Sequence, residues 1–205
     1  MSELKIYGHP RSRAFRPIWM AKELGIEFDN IALRARLGES RTPEFLAINP
    51  NGHIPAIRDG DFIMWESLAI NIYLTKKFPG PLSPATLEEE GLTLQWSMWA
   101  ISKLEPAHST LIQVRDVVGN HPPDAIDKVG KTIREPLGIL NNVLSERKYL
   151  LGERFTVADL NLSSVLSVLP QVEFNFGSFS NLEKWLNDCL ERPAAIATLA
   201  LRHQN

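Results

Sequence analysis

The stretch that decides the fold of this 205-residue chain reads NPNGHIPAI over residues 49–57, and ESLAINIYL follows it over residues 66–74. Turn-forming residues lead into Ile54-Pro55 directly before an apolar run that predicts a strand. Because proline cannot donate to a sheet ladder, Pro55 marks a strand entry, a sheet edge or a cis peptide bond. A cis bond leaves the backbone N–H and C=O of Ile54 free to pair with an extended peptide. A trans proline, which only starts the strand, is the commoner case.

The residues on the C-terminal side of this stretch predict a β-hairpin and then a helix. Two apolar runs, residues 56–58 and 62–64, flank Asp59-Gly60-Asp61. An Asp-Gly turn between apolar runs is typical of a hairpin. The pattern that follows predicts a helix over about residues 66–78.

The residues on the N-terminal side predict two more strands and two more helices. Residues 4–7 alternate apolar and polar side chains, as a half-exposed strand does, and residues 26–33 predict a second strand. A helical pattern lies between them; Gly25 ends it, and Pro17 is expected near its first turn. A short helix is predicted over residues 43–48, with a threonine N-cap directly before it.

A proline-rich stretch, PGPLSP over residues 79–84, predicts a linker between two domains. The residues beyond it predict helices alone, over about 87–118, 123–145, from Thr156 onward, and 181–191. The predicted class is therefore α+β: a βαβαββα domain with a mixed four-stranded sheet over residues 1–80, a linker over 81–86, and an all-α domain over 87–205.

Composition and charge exclude several classes of function. The single cysteine, Cys189, excludes an intramolecular disulfide framework, a cysteine-based zinc cage and a CxxC redox pair. The 22 Lys and Arg against 24 Asp and Glu argue against a nucleic-acid-binding protein. With neither a signal peptide nor 18 consecutive apolar residues, we expect a cytoplasmic protein that does not bind membranes.

Three positions in the first domain suggest a site for an anionic ligand. Ser12, between the first strand and the first helix, is either an ordinary cap or a hydroxyl that donates to an anion. Glu66 and Ser67 begin the third helix, where unpaired N–H groups and the positive dipole end favour an anion. Ser67 can hold a ligand carboxylate there and Glu66 can accept from a ligand ammonium, whereas plain capping is the alternative.

Taken together, these positions resemble the glutathione transferase family over nearly the whole chain. The segments YGHPRS and NPNGHIPAI…ESLAINIYL look most like the phi branch and the related theta-like bacterial branch. The resemblance implies a thioredoxin-like N-terminal domain, a helical C-terminal domain, glutathione as co-substrate without a metal, and a homodimer. The activity it implies is conjugation of the glutathione thiolate to small hydrophobic electrophiles.

The resemblance also implies roles for individual residues. Ser12 matches the catalytic hydroxyl that hydrogen-bonds the glutathione sulfur. The implied glutathione-binding residues are Arg41, His53, Ile54, Pro55, Glu66 and Ser67. The implied electrophile pocket includes His9, Trp99, His108 and Arg115. His9 is also a rival to Ser12 at the thiolate, because a single gap in the alignment puts His9 at the catalytic position of theta-like members.

The chain departs from the phi pattern at two places. Ser40-Arg41 stands where phi enzymes usually carry His-Lys, and Asn51 replaces an aromatic residue that often keys the dimer interface. The resemblance therefore predicts the glutathione site more firmly than the mode of dimerisation.

Two other functions stay open on the same fold. One is glutathione-dependent reduction of hydroperoxides or disulfides, although thiol oxidoreductases usually carry cysteine at the position of Ser12. The other is a non-catalytic binding protein that has lost glutathione affinity, which the presence of Pro55, Glu66 and Ser67 argues against.

The segment from Thr156 to Asp159 matches a family hallmark, but its residues predict a structural role. It has the form of a capping box with aspartate in place of glutamate, and Phe155 and Leu160 occupy hydrophobic-staple positions. We therefore interpret it as a helix cap or folding nucleus.

Overall fold

The computed structural model describes residues 3–107, 110–111 and 125–203. For residues 125–130 and 203 it describes the backbone alone. The chain divides into two compact units. The first comprises Met1–Ser83 together with Glu191–Asn205, and the second comprises Pro84–Leu190.

Four short strands form one mixed sheet in the first unit. They are β1 (Leu4–Tyr7), β2 (Asp29–Ile31), β3 (Ala56–Asp59) and β4 (Phe62–Trp65). The strand order is β2-β1-β3-β4; β1 is parallel to β2, and the other two pairings are antiparallel. The predicted hairpin and mixed sheet are confirmed, but the strand expected over residues 26–33 is only three residues long.

Eight α-helices have both ends among the described residues. They are α1 (Phe15–Glu23), α2 (Pro43–Leu46), α3 (Ser67–Lys77), α4 (Leu87–Trp99), α5 (Ala125–Val143), α6 (Val157–Leu166), α7 (Ser180–Leu190) and α8 (Pro193–Ala200). The predicted α+β class is confirmed, with the helical half following the sheet.

Helix α1 forms the core of the first unit and packs against both α3 and α8. Its Phe15, Ile18 and Trp19 are buried. Pro17 occupies the third position of the helix, as predicted. Because N–H groups in the first turn have no intrahelical partner, proline is tolerated there. Pro17 is therefore compatible with a helix that starts directly after the Ser12 turn.

A polar cluster fixes α3 on the sheet and so positions the start of that helix. Tyr73 Oη donates to Asp59 Oδ2 at 2.6 Å, and Lys77 Nζ donates to Asp59 Oδ1 at 2.6 Å. Burial opposes ionisation of Asp59, but the bonds from Lys77 and Tyr73 outweigh it and hold the pKa of Asp59 below its usual value. Burial and the same carboxylate raise the pKa of Tyr73 to about 12.

The second unit is built around α6, all ten residues of which are buried. Thr156 and Asp159 form the predicted capping box, which is confirmed. A π-helical segment, Ala100–Leu104, follows α4 directly and precedes Glu105-Pro106. The second predicted long helix corresponds to α5, which contains Pro136. The end of the first predicted long helix lies outside the described residues.

The C-terminal segment packs differently from what the sequence suggested. We placed residues 191–205 in the helical domain, whereas their contacts are with the first unit. The physical reason is that the apolar helix α8 packs on α1 and that Arg192 forms a bidentate ion pair with Glu23, with both N–O distances 2.7 Å. Helix α8 itself was not predicted.

Two kinds of feature are absent from the described residues. No helix among them is long and apolar enough to cross a membrane. Within the same residues there is no group of three or more His, Cys, Asp or Glu side chains placed to hold a metal ion.

Candidate active site

The turn between β1 and α1 is held against two neighbouring segments. The Gly8 N–H donates to Ile31 O at 2.8 Å, and the His9 N–H donates to Leu33 O at 2.9 Å. A Cβ on Gly8 would lie 2.8 Å from Ala14 Cβ and 3.1 Å from Ile54 Cβ. The turn that carries Ser12 therefore packs directly against the residue before Pro55, as the sequence hypothesis requires.

Replacing Gly8 with alanine is expected to destabilise the first unit by about 1–2 kcal/mol. Gly8 has φ of +133°, and the added Cβ would also press on Ala14 and Ile54. The control is Gly25→Ala, because Gly25 also has a positive φ but an added Cβ meets no atom within 4 Å. Urea denaturation of both variants measures the contribution of the close packing, and an equal loss in both would show that it contributes nothing.

The Ser12 hydroxyl is half-buried and is engaged by the turn itself. Its Oγ donates to His9 O at 2.7 Å and accepts from the Ala14 N–H at 3.1 Å. A hydroxyl has only one proton. Donation to a ligand at this position therefore takes the place of the bond to the His9 carbonyl.

The His9 side chain lies in the same turn. Its Nδ1 accepts from the Arg11 N–H at 3.1 Å, so a neutral ring carries its proton on Nε2. Burial lowers the pKa of His9, the charges of Arg34 and Arg11 lower it further, and Glu39 acts in the opposite direction. The imidazole is therefore neutral near pH 7 and presents a donor rather than a cation.

The bond between Ile54 and Pro55 is cis. Among the described residues, neither the N–H nor the C=O of Ile54 has a hydrogen-bond partner. Asn49, which is buried, shapes the loop that precedes them: its Nδ2 donates to His53 O at 2.7 Å and its Oδ1 accepts from the Asn51 N–H at 3.0 Å. Sequence reasoning missed Asn49, although a lone polar side chain before a Pro-Asn-Gly turn is a signal for such a bond.

Two further predicted residues lie at this loop. Arg41 Nη1 donates to Asn51 O at 3.1 Å, and a Cβ on Gly52 would lie 2.6 Å from that nitrogen. The side chain of His53 is exposed. The loop thus holds one basic and one polar side chain at its surface.

The start of α3 holds the remaining predicted pair. Glu66 is exposed and has φ of 76°, a backbone conformation uncommon outside glycine and found preferentially at functional sites. Ser67 is buried, and its Oγ accepts from Arg16 Nη1 at 3.1 Å. Sequence reasoning missed Arg16, which is only 2% exposed and places a cation beside this hydroxyl.

Of the residues predicted for an electrophile pocket, His9 and Trp99 are among those that the structure describes, and each is described within its own unit. His9 lies in the Ser12 turn described above. Trp99 ends α4 in the second unit, where it is half-buried and packs edge-on against Trp96 with ring centroids 5.4 Å apart. His108 and Arg115 lie outside the described residues.

Comparison with known proteins identifies the family. The family model for the glutathione S-transferase N-terminal domain matches residues 2–76, and the family model for the C-terminal domain matches residues 100–193.

Individual relatives match over most of their length. Glutathione S-transferase 3 of Zea mays is 32% identical, over 98% of this chain and 95% of its own. Glutathione S-transferase D7 of Drosophila melanogaster is 31% identical, over 92% and 84%. Among solved structures, the transferase URE2P6 of Phanerochaete chrysosporium, in complex with oxidized glutathione, has a TM-score of 0.85 at 29% identity and covers 98% of this chain and 96% of its own. The chain therefore belongs to the glutathione S-transferase family.

Proposed function

We propose that this glutathione transferase conjugates the thiolate of glutathione to small hydrophobic electrophiles, and that the Ser12 hydroxyl stabilises the thiolate. The observation that carries the proposal is the packing of the Ser12 turn against Ile54, through Gly8. A peptide paired with the backbone of Ile54 has its next groups within reach of that turn. The family match supplies the peptide, because glutathione is the co-substrate of these enzymes.

Each part of glutathione has a complementary group in the first unit. The free N–H and C=O of Ile54 suit the backbone of the cysteinyl residue. At the start of α3, Ser67 suits the γ-glutamyl carboxylate, and Glu66 suits the ammonium. The buried guanidinium of Arg16 adds positive charge beside Ser67.

The glycine end of glutathione carries a second carboxylate. We assign it to Arg41 and His53, which lie on the surface of the loop before Ile54. No metal takes part in this binding scheme, since every group of the peptide meets a side chain or a backbone amide.

The energetics of the thiolate are set by an exchange of hydrogen bonds. A hydroxyl that donates to an anion contributes about 1.5–3 kcal/mol, but breaking its bond to the His9 carbonyl costs about 0.5–1.5 kcal/mol. The N-terminus of α1 adds about 0.3–1 kcal/mol. The net effect of about 1–2 kcal/mol lowers the thiol pKa by about one unit from its usual value near 8.5.

Conjugation is favoured over thiol reduction by the chemistry of the residues present. Disulfide reduction proceeds through a protein thiolate in most thiol oxidoreductases. The single cysteine of this chain, Cys189, is fully buried in α7. The reactive sulfur is therefore that of glutathione itself.

A comparison of two substrates tests this proposal. The rates with glutathione and either 1-chloro-2,4-dinitrobenzene or cumene hydroperoxide are measured side by side, and we expect the higher kcat/KM with the haloarene. Faster turnover of the hydroperoxide would assign the peroxidase alternative instead. The absence of turnover and of any thermal shift with glutathione would assign the non-catalytic alternative.

Three wider expectations stay predictions from the resemblance: a homodimer, a cytoplasmic location and a role in detoxification. The homodimer has support in the second unit, where Leu94 and Met98 are exposed one turn apart on α4. Exposed apolar side chains grouped in this way are typical of protein interfaces.

A further inference from the structure

A cationic surface lies beside Ser12, and we call it the His9 rim. It comprises His9, Arg11, Arg34 and Glu39. The backbone places them together: the His9 N–H donates to the carbonyl of Leu33, the residue before Arg34, at 2.9 Å, and the Arg11 N–H donates to the His9 ring at 3.1 Å. The charges of Arg34, Arg11 and Glu39 all act on the His9 imidazole, in agreement with the proximity that these backbone bonds give them.

The positive charges of the rim are not neutralised within it. Arg11 and Arg34 are exposed, and neither guanidinium has an ion-pair partner among the residues that the structure describes. Glu39 is the one acidic group that acts on His9, and its Oε2 is engaged by the Arg34 N–H at 2.6 Å. Two unpaired cations and a neutral ring N–H therefore outnumber the one carboxylate of the rim, which is already bonded.

The rim lies beside the position where the reacting sulfur is proposed to lie. The His9 carbonyl that is part of the rim accepts the Ser12 hydroxyl at 2.7 Å. An electrophile attacked by a sulfur at Ser12 therefore approaches the turn that carries His9 and Arg11 and the neighbouring segment that carries Arg34. These arginines are separate from Arg41, which is proposed to bind the glycine carboxylate of glutathione, and from Arg16, which lies beside Ser67.

We propose that the preferred electrophile has an apolar body and one anionic group, such as a carboxylate, which pairs with Arg11 and Arg34 and accepts from the His9 ring. This inference rests on the proposed function, since it names the class of the second substrate. The His9 rim is then a specificity determinant for the electrophile, whereas the thiol is activated by Ser12.

The test uses two electrophiles that differ in a single charge, 4-chloro-3,5-dinitrobenzoate and its carboxamide. In both reactions the glutathione sulfur forms a bond to the ring carbon that carries chlorine, chloride leaves with the electron pair of the broken bond, and the thiol proton passes to solvent. Each enzymatic kcat/KM is divided by the rate constant of the uncatalysed reaction. We expect a ratio about five- to tenfold higher for the carboxylate at low ionic strength, and less with added salt.

Neutral variants of the two arginines test whether these side chains cause the preference for the carboxylate. Arg11→Gln and Arg34→Gln are each expected to lower kcat/KM for the carboxylate about threefold and to leave the amide and the KM for glutathione unchanged. Arg58→Gln is the control, because Arg58 is an exposed arginine of β3 and no rim residue. No preference for the carboxylate in the wild type would overturn the inference. A rise in the KM for glutathione in the rim variants would also overturn it, since the arginines would then bind glutathione.

A binding measurement separates this inference from the proposed function. The dissociation constants of the two glutathione conjugates, the carboxylate and the amide, are measured by calorimetry. Tighter binding of the carboxylate that is lost in Arg11→Gln and Arg34→Gln supports the rim even in an enzyme without turnover. Equal binding of the two conjugates overturns the rim while leaving the transferase activity intact.

Discussion

Replacing Ser12 with alanine is expected to lower kcat for conjugation about 5- to 10-fold near pH 7, as a shift of about one pKa unit implies, while the KM for glutathione stays within about twofold. The variant loses a hydroxyl donor to the thiolate, but it keeps the groups that hold the peptide, among them Ile54 and Ser67. The loss should shrink as the pH rises above about 8.5, because the unassisted thiol then ionises by itself. Steady-state kinetics with a neutral haloarene from about pH 6 to 9.5 measure both effects.

The control for this prediction is His9→Ala, since His9 is the rival at the thiolate. The variant keeps the backbone carbonyl that accepts the Ser12 hydroxyl, so a loss of less than about threefold is expected with a neutral electrophile. A larger loss in His9→Ala than in Ser12→Ala would assign the thiolate to the imidazole. A wild-type rate in Ser12→Ala would remove Ser12 from the mechanism.

Replacing Asp159 with alanine is expected to lower the free energy of unfolding by about 3–5 kcal/mol. Its carboxylate accepts from the N–H groups of Leu150 and Thr156 at 2.8 and 3.0 Å, from the Thr156 hydroxyl at 3.1 Å, and from Trp185 Nε1 at 3.0 Å. Burial raises the pKa of Asp159, and these four bonds oppose that rise. Truncation leaves several buried donors without an acceptor, and each costs about 1–3 kcal/mol.

The matched control is Asp188→Ala in α7. Asp188 accepts from Lys184 at 2.6 Å, but the pair is solvent-exposed and spaced i,i+4 on one helix, so its removal should cost less than about 0.5 kcal/mol. Urea denaturation followed by tryptophan fluorescence compares the two variants. Similar stability in both would show that the capping box does not hold the second unit together.

The parts of the fold that the sequence predicted correctly are those set by neighbouring residues. The Asp-Gly hairpin, the threonine cap before Pro43 and the capping box at Thr156 all depend on contacts within a few residues. Helix α8 was missed because PAAIATLA has almost no polar side chains, and its apolar residues therefore show no helical period.

The candidate site divides in the same way. Sequence reasoning proposed Ser12, Ile54 and Ser67 as candidates because they lie at strand and helix ends in a recognisable order. Arg16 was not found, since its partner Ser67 is 51 positions away. The requirement for glycine at position 8 was also not predicted, because it comes from a contact with Ile54.

Among the structural findings, the hydrogen bond from the Ser12 hydroxyl to the His9 carbonyl most alters the expected stabilisation of the thiolate. No sequence pattern predicts that the proton is already donated to the His9 carbonyl, and this bond reduces the expected stabilisation of the thiolate. The activation of glutathione by Ser12 is therefore expected to be modest.

The most direct test of the central claim is the pKa of the glutathione thiol in the complex, measured from the ultraviolet absorbance of the thiolate during a pH titration. We expect a value about one unit below 8.5 in the wild type, with a return towards 8.5 in Ser12→Ala. A bound thiol with the same pKa in the two proteins would contradict the assignment of Ser12.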